Sequence, residues 1–206
     1  MSKNLTRISL VALGIVAAGV ASADITTTVF KPNPADLYDL DHYYYNTWGF
    51  NFDVPEGQYI VGAELKIKNI WDWTKEANDI LYINLLNDPA LGVKSFYDNQ
   101  GGGNAFAGQG PLVGTWTDPI GGYARGVDLS FDLAELGLLD EFTAFAADGR
   151  VGFGFDADCH YFNDGVSFHV KTAPVPEPTT LALLAAGGAA AAGAAWPPRA
   201  PSAAPG

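Results

Sequence analysis

Apolar and polar residues alternate with a period of two along several short stretches of this chain, a pattern typical of β-strands with one buried face. One stretch covers residues 48–54 and a second covers residues 59–67. Pro55, Glu56 and Gly57 lie between them and are typical of a turn. We expect the two stretches to pair as an antiparallel hairpin. The same alternation recurs in residues 127–133, 151–155 and 166–170.

Other segments complete the predicted fold. Residues 80–86 are apolar on both faces except at Asn84, which predicts a central strand covered on both sides. Helical signals are limited to one or two turns in residues 134–139 and again in residues 141–147. Residues 98–110 contain three consecutive glycines, and we expect a long flexible loop there. Many short strands with little helix predict an all-β fold, an antiparallel β-sandwich or jelly-roll-like single domain, over residues 24–174.

The N-terminal segment has the organisation of a secretory signal peptide. Lys3 and Arg7 supply positive charge, residues 8–20 are apolar, and Ala21 and Ala23 form an A-x-A cleavage site. We therefore expect residues 1–23 to be removed on export. The alternative, a permanent membrane anchor, is disfavoured because the apolar run is short and ends in small residues.

The C-terminal segment, residues 175–206, has a second organised pattern. Val175, Pro176, Glu177 and Pro178 precede an apolar stretch over residues 181–196, and Arg199 follows. This order resembles the PEP-CTERM sorting signal of Gram-negative bacteria. The resemblance implies recognition by an exosortase-type transpeptidase, transient anchoring in the inner membrane through residues 181–196, and delivery to the cell surface or extracellular matrix. The alternative is a disordered tail rich in Ala and Pro.

Residues 24–174 also look like the globular part of some PEP-CTERM surface proteins. The similarity lies in residues 39–42, in Asn78 and Asp79 before the central strand, and in residues 156–164. It implies a secreted β-sandwich, and it carries no catalytic residue across.

The net charge of the chain limits the kinds of partner that it can bind. The 206 residues include 11 Lys and Arg against 23 Asp and Glu, a net charge of −12. Nucleic acid and anionic lipid are therefore disfavoured, because binding phosphate groups requires clustered basic side chains. Divalent cations and neutral or cationic polymers fit this charge. Cys159 is the only cysteine, so no internal disulfide can form.

One polar segment offers ligands for a hard cation. Asp156, Asp158, Asn163 and Asp164 carry side-chain oxygens of the kind that Ca²⁺ prefers. The alternation places Asp156 and Asp158 on the same side of a strand. The alternative is a turn in which these residues bond their own backbone. A second cluster, Asp36, Asp39 and Asp41, could share the same ion if the N-terminal segment meets a late strand.

The sequence gives less support to a zinc site or a catalytic site than to a Ca²⁺ site. Cys159 and His160 are adjacent, so in a strand they would point to opposite faces, and His42 is distant along the chain. We expect Cys159 to be a small buried apolar side chain. The sequence contains no nucleophile elbow, phosphate-binding loop or zinc-protease helix, so we expect a protein that is not an enzyme.

The aromatic residues suggest a binding role. Trp71, Trp73 and Trp116 exceed what the alternating faces need, and exposed rings can stack on sugars. The alternative is that Trp71 and Trp73 plug one end of the sandwich. We expect a surface or matrix protein that associates with exopolysaccharide. A Ca²⁺-dependent carbohydrate-binding module and, less favoured, a glycan-active hydrolase are the alternatives.

Overall fold

The strands predicted from the alternation lie in two antiparallel sheets that pack face to face. The computed structural model describes residues 24–77, 79–98 and 102–176. One α-helix of eight residues and two 3-10 helices, Tyr38–Leu40 and Tyr123–Arg125, accompany the strands in this part of the chain. The elements are β1 Thr26–Phe30, β2 Tyr44–Asn51, β3 Gln58–Ile70, β4 Leu81–Asn87, β5 Gly92–Tyr97, β6 Leu112–Trp116, β7 Val127–Asp132, α1 Leu139–Ala146, β8 Arg150–Ala157 and β9 Val166–Pro174.

The first sheet has the strand order β1-β9-β3-β7, and the second has the order β5-β2-β8-β4-β6. This arrangement confirms the predicted all-β sandwich. It also shows that the predicted hairpin of β2 with β3 is wrong, because these strands belong to different sheets. Residues 52–57 cross between the layers, so the apolar faces of β2 and β3 meet across the core. Alternation shows which face is buried, but it does not show which strand lies beside which.

The core between the sheets is rich in aromatic rings. Phe153 of β8 lies with its ring centroid 4.8 Å from that of Phe168 in β9, on the opposite sheet. Phe50 of β2 lies 5.7 Å from the same ring. Leu65 and Ile67 of β3 are fully buried among them. The predicted central strand is also confirmed, because β4 lies inside the second sheet between β8 and β6.

The outer faces of the two sheets differ. The first sheet carries polar groups such as Glu64 and Lys66, which form an ion pair at 3.1 Å. The second is covered by the described part of the predicted loop. A Cβ added at Gly154 of β8 would lie 2.7 Å from the ring of Phe106, which is 2% exposed. The loop is therefore packed on the sheet through Phe106, whereas residues 107–109 are exposed, and the flexibility expected of the loop stays a prediction. Residues 99–101 lie outside the described part.

The helix α1 covers one margin of the core, since Phe142 is fully buried and packs edge-on against Phe168 with ring centroids 5.1 Å apart. It combines the end of the first predicted helical segment with most of the second.

Candidate functional site

A cavity of about 420 Å³ opens at one end of the sandwich, where three segments of chain meet. One segment precedes β2, one follows β3, and one follows β8. Strands β2 and β8 pair antiparallel, so the start of β2 and the end of β8 lie side by side. We call this space the tryptophan cavity. Its lining residues are His42, Trp73, Glu76, Asp158, Cys159, His160 and Phe162.

A row of aromatic rings forms beside the cavity. Trp71 and Phe162 pair as an isolated antiparallel bridge, with both backbone N–H···O distances at 3.0 Å. Their rings stack with centroids 4.5 Å apart, and Phe162 stacks in turn on His160 at 4.4 Å. Tyr123 packs edge-on against Trp71 with ring centroids 5.4 Å apart. The bridge therefore places four rings in sequence across this end of the sandwich.

Trp73 stands apart from that row. Its side chain is 70% exposed, although it lines the cavity. The segment that carries it is held by two buried carboxylates. The backbone N–H of Trp73 donates to Asp72 at 2.6 Å, and that of Glu76 donates to Asp79 at 2.9 Å. These bonds position Trp73 and Glu76 at the cavity wall.

A buried polar group lies behind the wall. Asp72, Asp79 and Cys159 each offer one atom within 4.8 Å of the others. The Cys159 thiol donates a hydrogen bond to Asp72 at 3.3 Å. Burial raises the pKa of Cys159 to about 12 and also raises the pKa of Asp79 above its usual range. Cys159 is thus buried as expected, as a protonated thiol with little nucleophilic character.

Two imidazoles, those of His42 and His160, also line the cavity. The rings of His42 and His160 lie with centroids 6.4 Å apart, and an oxygen of Asp41 lies 3.8 Å from Nδ1 of His42. Each of these three side chains offers one atom within 4.8 Å of the others. Nδ1 of His42 and Nε2 of His160 are buried and, among the residues that the structure describes, accept or donate no hydrogen bond.

An unusual backbone turn brings His42 to this place. Residues 37–40 all have positive φ, between 45° and 60°, which makes one left-handed turn. This conformation costs roughly 1–2 kcal/mol for each residue other than glycine. Leu37 and Leu40 anchor the turn because both are fully buried. The carbonyl of Leu40 also accepts the N–H of Tyr161 at 3.5 Å, so the turn is tied to the segment after β8.

The predicted calcium ligands occupy separate places. Asp156 lies under the packed loop, where its Oδ2 accepts the N–H of Ala105 at 2.6 Å. The other oxygen of Asp156 and Oδ1 of Asp158 are buried without a hydrogen-bond partner in the described ranges. Burial raises the pKa of Asp156 to about 6 and raises that of Asp158 as well, and the charge of Asp98 adds to both effects.

Asn163 and Asp164 lie further along the same segment. The amide of Asn163 accepts the N–H of Gly165 at 2.9 Å, as expected of a turn, and it also donates to the carbonyl of Asp36 in the N-terminal segment at 2.9 Å. Asp164 is exposed. In the described part of the chain, the groups of three ligating atoms within 4.8 Å of one another are the two given above. Asp156, Asp158 and Asp164 do not form such a group, and Ca²⁺ binding stays a prediction.

The second predicted cluster is divided too. The N-terminal segment does meet the segment after β8, as expected, through the bond of Asn163 to the carbonyl of Asp36. Asp41, however, lies beside the imidazoles and not beside Asp156. The pKa of Asp39 is raised by burial and by the neighbouring charge of Asp36.

The three predicted sugar-contacting tryptophans have different surroundings. Trp73 is exposed at the cavity, and Trp71 is half-buried in the aromatic row. Trp116 packs against the core, with its ring edge-on to that of Tyr161 at 5.1 Å.

Of the predicted sorting motif, Val175 and Pro176 are exposed beyond β9, and Val175 donates its N–H to Gly57 at 2.8 Å. Glu177 and Pro178, the apolar residues 181–196 and the predicted cleavage residues Ala21 and Ala23 lie outside the described residues. Within those described, no helix has the length and apolar character needed to cross a membrane.

Sequence reasoning missed both groups of three side chains. Asp41 and His42 are separated from His160 by most of the domain, and Asp72 and Asp79 are remote from Cys159. The sequence signal that bears on these two groups is that Cys159 and His160 are adjacent. It correctly indicates that the two side chains cannot share one ion, and the structure gives each of them a different set of partners.

A scan against models of known protein families finds no match to this chain, and a search of curated proteins finds no significant relative.

Proposed function

We propose that this chain is an exported, non-catalytic surface or matrix protein whose β-sandwich binds exopolysaccharide at the tryptophan cavity. The observation that carries the proposal is the position of Trp73, which is 70% exposed at the wall of a cavity of about 420 Å³. A large exposed ring beside polar groups suits a ligand with both an apolar face and hydroxyl groups.

The chemistry of the cavity supports a sugar ligand. The C–H face of a sugar ring can stack on Trp73, while its hydroxyls bond the carboxylates of Glu76 and Asp158 and the imidazole of His42. Backbone hydrogen bonds to Asp72 and Asp79 hold the segment that carries Trp73 and Glu76. A site already held in this way loses less conformational entropy on binding.

Net charge indicates the class of polymer. With a net charge of −12, the chain repels anionic polymers at low ionic strength. A neutral or cationic polysaccharide is therefore the favoured ligand. Ca²⁺ at Asp156 and Asp158 remains a proposal, supported by their buried oxygens that lack hydrogen-bond partners in the described ranges.

We favour binding over hydrolysis because the buried carboxylates near the cavity, those of Asp72 and Asp79, already accept hydrogen bonds that hold the structure. Asp72 accepts both the N–H of Trp73 and the thiol of Cys159, and Asp79 accepts the N–H of Glu76. Export and sorting are proposed from the resemblance of the two ends of the chain to a signal peptide and a PEP-CTERM tail.

Affinity electrophoresis tests the binding proposal. The protein is run in native gels with and without exopolysaccharide purified from the native host. We expect the wild type to be retarded, and Trp73→Ala to bind at least about tenfold more weakly, a loss of about 1.4 kcal/mol. Tyr59→Ala is the matched control, because Tyr59 is 45% exposed but lies at the opposite end of β3.

Retardation of Trp73→Ala equal to that of the wild type would contradict the proposed site, and a wild type that is not retarded would contradict polysaccharide binding. Reducing sugar released during incubation with the same polysaccharide would favour the hydrolase alternative.

A further inference from the structure

We propose that Asp41, His42 and His160 form a binding site for a divalent transition-metal ion of the Zn²⁺ class. Each offers one ligating atom, and the three atoms lie within 4.8 Å of one another. Two imidazole nitrogens and one carboxylate oxygen are the donor types that Zn²⁺ takes in proteins. The proposal does not depend on polysaccharide binding, because metal binding is measured directly.

The nitrogen atoms themselves point to a missing partner. Nδ1 of His42 and Nε2 of His160 are buried, and neither has a hydrogen-bond partner within the described residues. Leaving a buried polar atom without a hydrogen-bond partner destabilises the folded chain. Ring contacts of His160 with Phe162 and of His42 with Tyr43 explain how the imidazole planes are oriented. These contacts give the two nitrogens no hydrogen-bond partner. A metal ion bound through these two nitrogens would satisfy both.

The geometry requires a small closing motion. Ligand atoms around a tetrahedral ion lie about 3.3 Å apart when each is about 2.0–2.1 Å from the metal. Nδ1 of His42 and the nearer oxygen of Asp41 are already 3.8 Å apart. Their side chains are 25% and 31% exposed, so side-chain rotation can bring them closer.

The backbone positions the residues of this site. The left-handed turn of residues 37–40 delivers Asp41 and His42 to the segment after β8, and the N–H of Tyr43 holds the Asp41 carboxylate at 3.0 Å. Both His42 and His160 line the tryptophan cavity, which opens to solvent beside them. Asp158 and Glu76 line the same cavity and add negative charge that attracts a cation.

Titration calorimetry of the untagged full chain, stripped with EDTA and titrated with Zn²⁺, tests the site. We expect one ion bound per chain for the wild type. His42→Ala and His160→Ala should each lose the binding heat. His169→Ala is the matched control, because the third histidine lies on the outer face of the first sheet, beside Ser167 at 3.1 Å.

Two further variants keep the test decisive. If His160→Ala fails to fold, as judged by circular dichroism, Asp41→Asn and His42→Ala report on the same site from the other segment. Cys159→Ala reports on the alternative group of Asp72, Asp79 and Cys159.

Co²⁺ supplies a second measurement, since the visible absorption of the bound ion changes with nitrogen ligation. We expect this absorption in the wild type and His169→Ala, and its loss in His42→Ala. The proposal is overturned by a wild type that binds neither ion, by binding that survives both histidine variants, or by binding that only Cys159→Ala removes.

Discussion

Single residues with unmet hydrogen bonds gather at one end of this sandwich. The five buried side-chain atoms without a partner in the described chain belong to His42 and to four residues between 156 and 161. Most buried polar groups in proteins are satisfied, so such a concentration needs a cause. Two of the five are the imidazole nitrogens assigned above to a metal ion. Two others belong to the carboxylates of Asp156 and Asp158, whose ionisation is affected by burial.

The ionisation of Asp156 should make stability depend on pH. Burial raises its pKa to about 6, above the unfolded value of 3.8. Between those values the folded state holds a proton that the unfolded state has released, so this group's contribution to stability falls as pH rises from about 4 to about 6. We expect Asp156→Asn to gain about 1–3 kcal/mol relative to the wild type on going from pH 4 to pH 7.5.

Denaturant unfolding at several pH values in EGTA measures this gain. Asp53→Asn controls for the loss of one negative charge at an exposed position. A difference between Asp156→Asn and the wild type that stays constant across the range would show that Asp156 does not titrate as its burial implies.

At the scale of elements, most of the strands that sequence reasoning identified have a clear buried face. β3, β4, β7, β8 and β9 are confirmed close to the predicted ranges, and β2 begins and ends a few residues before its predicted range. The alternation did not mark β1, β5 or β6, and these three are edge strands. In β5 five of six residues are exposed, so this strand lacks the apolar periodicity that identifies a strand. The fourth edge strand, β7, keeps that periodicity and was predicted.

The left-handed turn was equally hidden from the sequence. Its residues are Leu37, Tyr38, Asp39 and Leu40, none of which is glycine. Local preference opposes this conformation, and the burial of Leu37 and Leu40 overrides it. Tertiary packing of this kind cannot be inferred from a local pattern.

That turn supports a prediction about two exposed tyrosines. Tyr38 has a φ of 60° and is 59% exposed, whereas Tyr59 lies in β3 and is 45% exposed. Glycine adopts positive φ freely but weakens a strand by roughly 0.5–1 kcal/mol. We expect Tyr38→Gly to raise the free energy of unfolding by about 0.5–1 kcal/mol and Tyr59→Gly to lower it by a similar amount.

Chemical denaturation of both variants beside the wild type measures the two changes. Destabilisation of equal size in both variants would show that the left-handed turn carries no relievable strain.

At the scale of the whole molecule, the fold class followed from the sequence and the site did not. A two-layer sandwich is implied wherever many short strands each have one apolar face. The tryptophan cavity depends on three segments that meet only after β2, β3 and β8 are arranged, so no spacing in the sequence marks it. Trp73 was identified as a candidate from its residue type, but its exposure became visible only in the structure.

We propose that this domain lies outside the cell, where it would meet a polysaccharide ligand. That claim rests on the two ends of the chain, and the intact mass of the protein from its native host tests it most directly. The measurement is made on cells with and without the exosortase gene, after separation of the membrane, surface and medium fractions.

We expect the mature surface protein to lack residues 1–23 and to end near Pro176 or Pro178, and this cut should disappear without the exosortase gene. A protein that still carries Arg199 in cells with the exosortase gene would contradict sorting through the tail. Retention of residues 1–23 would contradict cleavage of the signal peptide, and with it the placement of the tryptophan cavity at the cell surface.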